Sequence, residues 1–457
     1  MSETAFRMTA RAAIALVADA FTEHAPPPPE PRDPAGAAGP DGAAGPDGPL
    51  AWEGYGAARA RAAERTGESE SVVFGEAEVA GVRCALLAFE FGFLGGSLGG
   101  RTGDRLCAAY RLARERRMPL VSLVATGGSR MQEGMVALTQ LQRVARETVL
   151  LREAGLPHVS VLRDPATGGG WATVGAGADV VLALPGAQIG FAGARVRPAD
   201  ADPAAYTAEG QLAAGHVDAV VPPDELRAVL GRWLTGLTRP APGTVPPPVL
   251  PGGGGELPES GWEAVLRARD AARPRAEAYL EAYFDARLPL TGDRCGGTDP
   301  GMLCGVGLRD GHGVVFAAQC GTATRPAGYR TAARALRLAD RLGLPVLTLV
   351  DTPGAANDAE AERSGAGAAI AEVFAAVAGA RVPVTTLLVG EGGSGGALAL
   401  AAPGNTWATR DSYFSVIAPE LAAAILKRPP EEAPRTAGQL RLRPQDLVEL
   451  GIVRGIV

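Results

Sequence analysis

At 457 residues the chain is too long for one ordinary domain and is read as about two or three. Its 44 basic and 50 acidic residues leave a formal net charge of -6, with no Lys/Arg block to track a phosphate backbone, which argues against a nucleic-acid partner. Lys427 is the only lysine, and the five cysteines, Cys84, Cys107, Cys295, Cys304 and Cys320, show neither a C-x-x-C pair nor a histidine at ligand spacing, so buried reduced thiols and no metal are expected.

The N-terminus carries Glu3, Arg7 and Arg11 before an apolar run broken by Asp19, so neither a signal peptide nor a spanning helix is expected, and the protein is predicted to be cytoplasmic. Residues Thr4 to His24 have helical apolar spacing and predict a docking helix; the Pro/Gly/Ala/Asp run from there to Gly48 predicts a linker. Trp52 to Gly67 reads as a helix and Val72 to Phe93 as paired strands. From Gly103 strand and helix alternate: a helix through Arg114, strand Leu120 to Val124, helix Met131 to Arg152, strand His158 to Leu162, helix Trp171 to Gly177 and strand Val180 to Leu184. A second Pro/Gly tract, Pro240 to Gly261, marks the boundary with the other half. The expected divisions are 1–48, 49–238, a linker at 239–261, and 262–457.

The halves repeat each other. Pro345 follows Pro119 by 226 residues, as Pro383 follows Pro157 and Asn405 follows Asp179. A shared offset at separate landmarks predicts a duplication over roughly Phe89–Gly193 and Val315–Pro419 without a register shift.

Each half carries two glycine turns after buried strands: Thr126–Arg130 and Asp164–Gly170 in the first, Asp351–Gly354 and Gly390–Gly396 in the second. Val384 to Val389 reads as a strand, Gly390 to Gly396 as the turn and Ala397 to Ala402 as a helix, whose first N–H groups lack internal partners and can hold an anion. Tight turning alone also accounts for any one such glycine, but four turns at repeated positions favour function. Neither turn has the Gly-Lys-Ser/Thr ending of a phosphate loop, and Gly393-Ser-Gly395 lacks the last glycine of a dinucleotide fingerprint. Gly392-Gly-Ser-Gly-Gly396 fits the G-x-S-x-G elbow, yet none of His24, His158, His216 and His312 follows Ser394, so the order Ser, acid, His is not met. Glu90, Glu133 and Glu391 are candidate acids. Such a site, rich in backbone donors and poor in side-chain bases, suits chemistry in which charge builds on a thioester oxygen and the base arrives with another reactant.

Phe89-Glu-Phe-Gly-Phe-Leu-Gly-Gly-Ser-Leu-Gly99, Gly127-Gly-Ser-Arg-Met-Gln-Glu-Gly134, Asp164-Pro-Ala-Thr-Gly-Gly169 and Ile189-Gly-Phe-Ala-Gly193 resemble the beta subunit of bacterial acetyl-CoA carboxylase carboxyltransferase. Asp351-Thr-Pro-Gly-Ala355, Gly390-Glu-Gly-Gly-Ser-Gly-Gly-Ala397 and Tyr413-Phe-Ser-Val-Ile-Ala-Pro-Glu420 resemble its alpha subunit, fused here after the beta part. The resemblance covers most of Trp52 to Val457 and implies an α/β protein of tandem duplicated crotonase-like (ClpP/crotonase) domains. It implies transfer of a carboxyl group from carboxybiotin to acetyl-CoA, giving malonyl-CoA. The N–H groups of Gly168 and Gly169 would form one oxyanion hole and those of Gly395 and Gly396 the other, one for the thioester enolate and one for the ureido oxygen of biotin. Gly95, Gly96, Gly127, Gly128, Arg130, Gly354 and Gly393 would bind substrate. Lys427 lies in Leu-Lys-Arg, not the Met-Lys-Met of a biotin acceptor, so no cofactor is expected covalently here; a biotin carboxyl carrier protein and a biotin carboxylase are the implied partners, with a homo-oligomer.

Departures accompany the likeness. The beta subunit's four-cysteine zinc module is absent from the sequence, the basic loop after Cys320 is shortened to Gly321–Arg325, and Ser-Pro-Glu-Gly has become Ala418-Pro-Glu-Leu421. Two alternatives stay open: a carboxyltransferase or decarboxylase for another acyl-CoA or malonyl thioester, and a divergent non-catalytic assembly partner.

Overall fold

The computed structural model describes residues 7–28, 45, 47–250 and 255–457, which fall into two compact units divided between Leu234 and Thr235. Among the described residues no helix is long and apolar enough to cross a membrane.

The first unit is built on one sheet. Strands β1 (Ala20–Glu23), β2 (Val72–Val79), β3 (Val82–Phe89), β4 (Leu120–Thr126), β5 (His158–Thr167), β6 (Val180–Ala183) and β8 (Ala219–Val220) lie in that order, and β7 (Ile189–Gly190) pairs with the far end of β5. The hairpin β2–β3 is antiparallel, and β3 through β6 and β8 run parallel. Every residue of β4 is buried, as a central parallel strand covered on both faces requires. Leu106 and Tyr110 from the helix Gly100–Glu115, with Val144 and Leu151 from the helix Gln140–Glu153, pack against Leu120, Val124 and Leu162.

The second unit repeats the plan. Its strands are β9 (Ala286–Pro289), β10 (Met302–Arg309), β11 (His312–Gln319), β12 (Val346–Thr352), β13 (Val384–Gly393), β14 (Thr406–Ala408) and β15 (Tyr413–Ser415). They form the order β14-β13-β12-β11-β10-β9, with β15 on the far end of β13. The helix Pro326–Leu342 occupies the place of Gly100–Glu115.

The register of the repeat is not uniform. Leu120 pairs with His158 as Val346 pairs with Val384, an offset of 226, but β3 meets β4 through Ala85–Leu120 and β11 meets β12 through Val315–Val346, so the hairpins are 230 apart. The expected absence of a shift is therefore corrected. The difference falls between the hairpin and the following helix, where Glu90–Ser97 in the first unit is matched by the shorter Cys320–Ala323 in the second; both hairpins turn through a left-handed pair, Ala80–Gly81 and Asp310–Gly311.

Other expectations also change. Thr4–His24 is not one helix: Ala10–Val17 is helical, Ala18 turns extended, and β1 adds to the open edge of β2, where the edge strand's unpaired groups are satisfied. The linker expected to end at Gly48 lies largely outside the described residues. Met131–Arg152 is interrupted at Gly134, left-handed with φ 52°, and at Thr139. The tract after Pro240 is no free connector, since Pro240 bridges Gly313, Val245 is buried in the second unit's core, and its carbonyl accepts from Thr385 Oγ1. Cys84, Cys107 and Cys304 are buried as expected, whereas Cys295 is exposed.

A titratable group sits inside the first sheet. His158 is 2% exposed, its Nε2 is 2.8 Å from Ser122 Oγ, and its ring stands edge-on to Tyr110. Burial lowers its pKa from 6.5 to about 4. Between those values the unfolded chain binds the extra proton, so the contribution is intact above pH 6.5 and is lost as pH falls towards 4, by about 3 kcal/mol in all. Val384 holds the matching position in the second unit, so His158→Val tests this. Urea denaturation should show the wild type losing stability more steeply than the variant from pH 6.5 to 4.5; equal slopes would refute the assignment.

Candidate functional site

At the ends of β4 and β5 the first unit folds backbone against backbone. Thr126 Oγ1 accepts from the Gly128 N–H (3.0 Å), Gly127 N–H donates to Gly95 O (2.8 Å) and Leu98 N–H donates to Gly128 O (2.8 Å). Gly128 has φ +104°, and a Cβ there would lie 3.4 Å from Gly168 Cα; one on Gly168 would lie 2.8 Å from Gly128 Cα, and one on Gly96 2.2 Å from Ala125 O. Side chains are excluded because the two turns touch. The structure thus brings together Gly95, Gly96, Gly127, Gly128, Gly168 and Gly169.

The second unit makes the same corner 226 residues on. Thr352 Oγ1 accepts from the Gly354 N–H (3.1 Å), and Thr324 N–H donates to Gly354 O (3.1 Å). A Cβ on Gly393 would meet Pro353 O at 2.0 Å, and one on Gly396 would meet Ala355 N at 2.6 Å. Gly354, Gly393 and Gly396 come together in this way, and Gly395 stands beside Gly396 in the chain with nothing within 4 Å of its Cβ position. The strand runs to Gly393 and the helix starts at Ser394, so the expected long turn is one sharp residue: Ser394, φ 59°, stands where the first unit has Gly168, φ 66°. A left-handed serine is unusual, and here it swings the chain from strand into helix.

Two sequence expectations need correction. The Gly168 N–H donates to Phe191 O at 3.1 Å, extending the β5–β7 ladder, so it is not available to a ligand; the next turn residues are Gly169 and Gly170, which match Gly395 and Gly396 at the offset of 226. Arg130 is 1% exposed, and its guanidinium bonds to both Glu70 oxygens (3.0 and 2.5 Å), Tyr55 Oη (3.2 Å), Glu133 Oε1 (3.3 Å) and Ser97 O (2.8 Å). It braces the corner from within. Burial opposes the Glu70 charge, but Arg130 outweighs it and holds the carboxyl below its usual range.

The candidate acids are likewise engaged. Glu90 accepts from Ala10 N (2.7 Å) and Gly92 N (2.8 Å); Glu133 accepts from Gly100 N (2.6 Å) at the start of the helix Gly100–Glu115 and from Tyr55. Glu391 accepts from Arg269 Nε and Tyr413 Oη, both at 2.8 Å. What the sequence did not reveal is the buried Asp351, fully enclosed, which accepts from Arg273 Nη2 (2.6 Å), Arg275 Nη1 (3.3 Å) and Glu391 N (3.1 Å). Its motif was visible, but its arginine partners lie 78 and 76 residues upstream with no spacing to mark them. Gly390 is required there, because a Cβ would fall 2.0 Å from Arg273 Nη2. Carboxylates and arginines thus fix both corners, while Ser394 and Gly395 are exposed. The arrangement can offer backbone hydrogen bonds to an anion and presents little side-chain acid–base chemistry.

Residues 52–228 match the family described as carboxyl transferase domain, and residues 259–457 match acetyl co-enzyme A carboxylase carboxyltransferase-like proteins. The chain is 41% identical over 419 residues to acetyl-coenzyme A carboxylase carboxyl transferase subunits beta/alpha of Saccharopolyspora erythraea, covering 87% of this chain and 73% of that protein. It is 36% identical over 409 residues to a Mycobacterium tuberculosis protein named "Probable biotin-dependent acyl-coenzyme A carboxylase beta3 subunit", covering 88% of this chain and 82% of the other. Among solved structures, a transcarboxylase 12S hexamer with hydrolysed methylmalonyl-coenzyme A bound superposes with TM-score 0.77 at 18% identity, over 99% of this chain and 87% of that one, a likeness of fold that bears out the expected duplicated crotonase-like architecture.

The Arg130 brace makes a prediction. Arg130→Leu strands the buried Glu70 charge and should destabilise the first unit by about 3–5 kcal/mol. Denaturation of the variant measures this; a variant of unchanged stability with only a raised KM would restore Arg130 as a substrate ligand.

Proposed function

Because the chain belongs to the acetyl-CoA carboxylase carboxyltransferase family, we propose that it moves a carboxyl group from carboxybiotin on a separate carrier protein to acetyl-CoA, forming malonyl-CoA. The observation that carries this reading is the paired left-handed corner at Gly168 and Ser394, which starts each helix with N–H groups unpartnered inside the turn and with the nearby carboxylates already engaged. Removing a proton from the acetyl methyl group builds negative charge on the thioester oxygen. Backbone donors at one corner hold that enolate oxygen, and those at the other hold the ureido oxygen of the carboxyl donor; each donor contributes about 3–4 kcal/mol to barrier lowering in comparable sites. Gly169 and Gly170 are the proposed pair in the first unit, Gly395 and Gly396 in the second.

The proton balance suits a site without a free base. The methyl group's proton goes to the nitrogen that gives up its carboxyl group, and the carbanion's electron pair forms the new carbon–carbon bond. The glycines that pack turn on turn, Gly95, Gly96, Gly127, Gly128, Gly354 and Gly393, shape the floor that lets a thioester approach. Partners on this reading are the biotin carrier protein, a biotin carboxylase and further copies of the same chain, in the cytoplasm.

The run in reverse is the direct assay: purified protein, malonyl-CoA and free biotin should release acetyl-CoA, with methylmalonyl-CoA as the comparison that sets acyl preference. Gly395→Pro deletes one N–H and should lower kcat by about 10²–10³-fold. Ser394→Gly, which removes the hydroxyl and relieves the left-handed strain, should keep activity. Wild-type turnover by folded Gly395→Pro, or loss of it in Ser394→Gly, would refute the donor assignment.

A further inference from the structure

The carbonyl of Gly396 has an unusual set of partners. The helix Ser394–Leu398 is only 5 residues long, and the Leu400 N–H that would ordinarily bond four residues back donates instead to Ala397 O at 3.3 Å. Two side chains from other elements take its place. Tyr329, from the helix Pro326–Leu342, donates its hydroxyl to Gly396 O at 3.0 Å, and Gln319, the last residue of β11, donates Nε2 to the same oxygen at 3.2 Å and to Thr324 Oγ1 at 3.1 Å.

Both side chains are enclosed, Tyr329 at 1% and Gln319 at 0% exposure. Because a carbonyl only accepts, the Gln319 amide must turn its NH₂ toward Gly396. Its Oε1 is then left buried without a partner, a penalty that a leucine or methionine would avoid while filling the same space. What the amide adds is the donor. Burial raises the Tyr329 hydroxyl well above its ordinary pKa, so it too stays a donor across the working pH range.

Among the described residues the first unit has no such device. Phe89 and Gly103 stand at the matching places, at the last residue of β3 and the first turn of the helix Gly100–Glu115, and neither side chain can donate. There the turn is wedged by packing: a Cβ on Gly169 would lie 2.6 Å from Leu141 Cδ2, and one on Gly170 2.6 Å from Thr126 Cγ2. Around Gly395 there is nothing within 4 Å of a Cβ position, whereas one on Gly396 would meet Tyr329 Oη at 2.5 Å and Ala355 N at 2.6 Å, so packing reaches only the second glycine of this turn, and Tyr329 is part of it. A glycine with open space beside it, such as Gly395, is restrained chiefly through its neighbour, and a donor displaced by about 1 Å can cost about 10²-fold in rate.

We propose that Gln319 and Tyr329 are positioning residues that clamp the Gly396 carbonyl and thereby aim the N–H groups of Gly395 and Gly396. The inference rests on the reading of those two groups as oxyanion donors. It makes the two corners unequal, one packed at both glycines and the other packed at Gly396 alone and tied by a buried pair of hydrogen bonds.

Tyr329→Phe and Gln319→Leu in the full chain test it, with Tyr110→Phe as the control that deletes a buried hydroxyl, hydrogen-bonded to Thr148, away from the turn. In the malonyl-CoA assay each clamp variant should lose about tenfold or more in kcat with KM within about twofold, while Tyr110→Phe keeps its kcat. Clamp variants with wild-type kcat, or with losses shared by Tyr110→Phe in step with melting temperature, would overturn the proposal. Amide hydrogen exchange over residues 390–400 separates this from failure of the proposed reaction, because it needs no turnover. If the wild type is inactive, exchange of that segment about tenfold faster in Tyr329→Phe still establishes the clamp, and unchanged protection disproves it.

Discussion

The closeness of two backbone turns at the ends of neighbouring parallel strands is the constraint on which the rest of each unit depends. Gly128 and Gly168 approach so nearly that a Cβ on the latter would lie 2.8 Å from the former's Cα, and Gly393 leaves only 2.0 Å to Pro353 O. Parallel strands fix where the turns start, and the threonine hydroxyls of Thr126 and Thr352 fix how they leave the sheet. A chain so arranged places backbone where side chains would otherwise stand. Chemistry that needs hydrogen bonds to a developing oxyanion follows naturally from this geometry.

Charge serves to hold the corners. Arg130 with Glu70 and Glu133 in the first unit, and Arg273 with Asp351 in the second, are buried pairs whose desolvation is offset only because nearly every polar atom is bonded. They lie beneath the glycines and convert soft turns into rigid ones. The same economy explains why the motif carboxylates, although conspicuous in the sequence, are engaged with partners in the fold. Their lone pairs are occupied by N–H groups and guanidinium groups.

Much of this was legible in the residues. Buried strands announced themselves through β-branched runs such as Val384–Val389, and the shared offset of 226 revealed the duplication before any fold was seen. The glycine turns stood out because they recur after those strands. Misreadings fell where tertiary partners overrule local pattern. Ala20–Glu23 has helical spacing but joins a sheet edge; Met131–Arg152 breaks at a left-handed glycine; Arg130 reads as a substrate ligand and is buried.

Sequence alone therefore determined the strand–turn–helix grammar, the repetition and the glycine-rich turns, since these are properties of residue type and periodicity. Only the tertiary structure decided which N–H groups remain free, that Gly168's is taken by Phe191, and that Asp351 meets arginines 78 and 76 residues away. It also decided the register shift between the hairpins and the clamp of Gln319 and Tyr329 on Gly396. The reason is physical: hydrogen bonds and close approaches join residues distant along the chain, and no local pattern carries their partners.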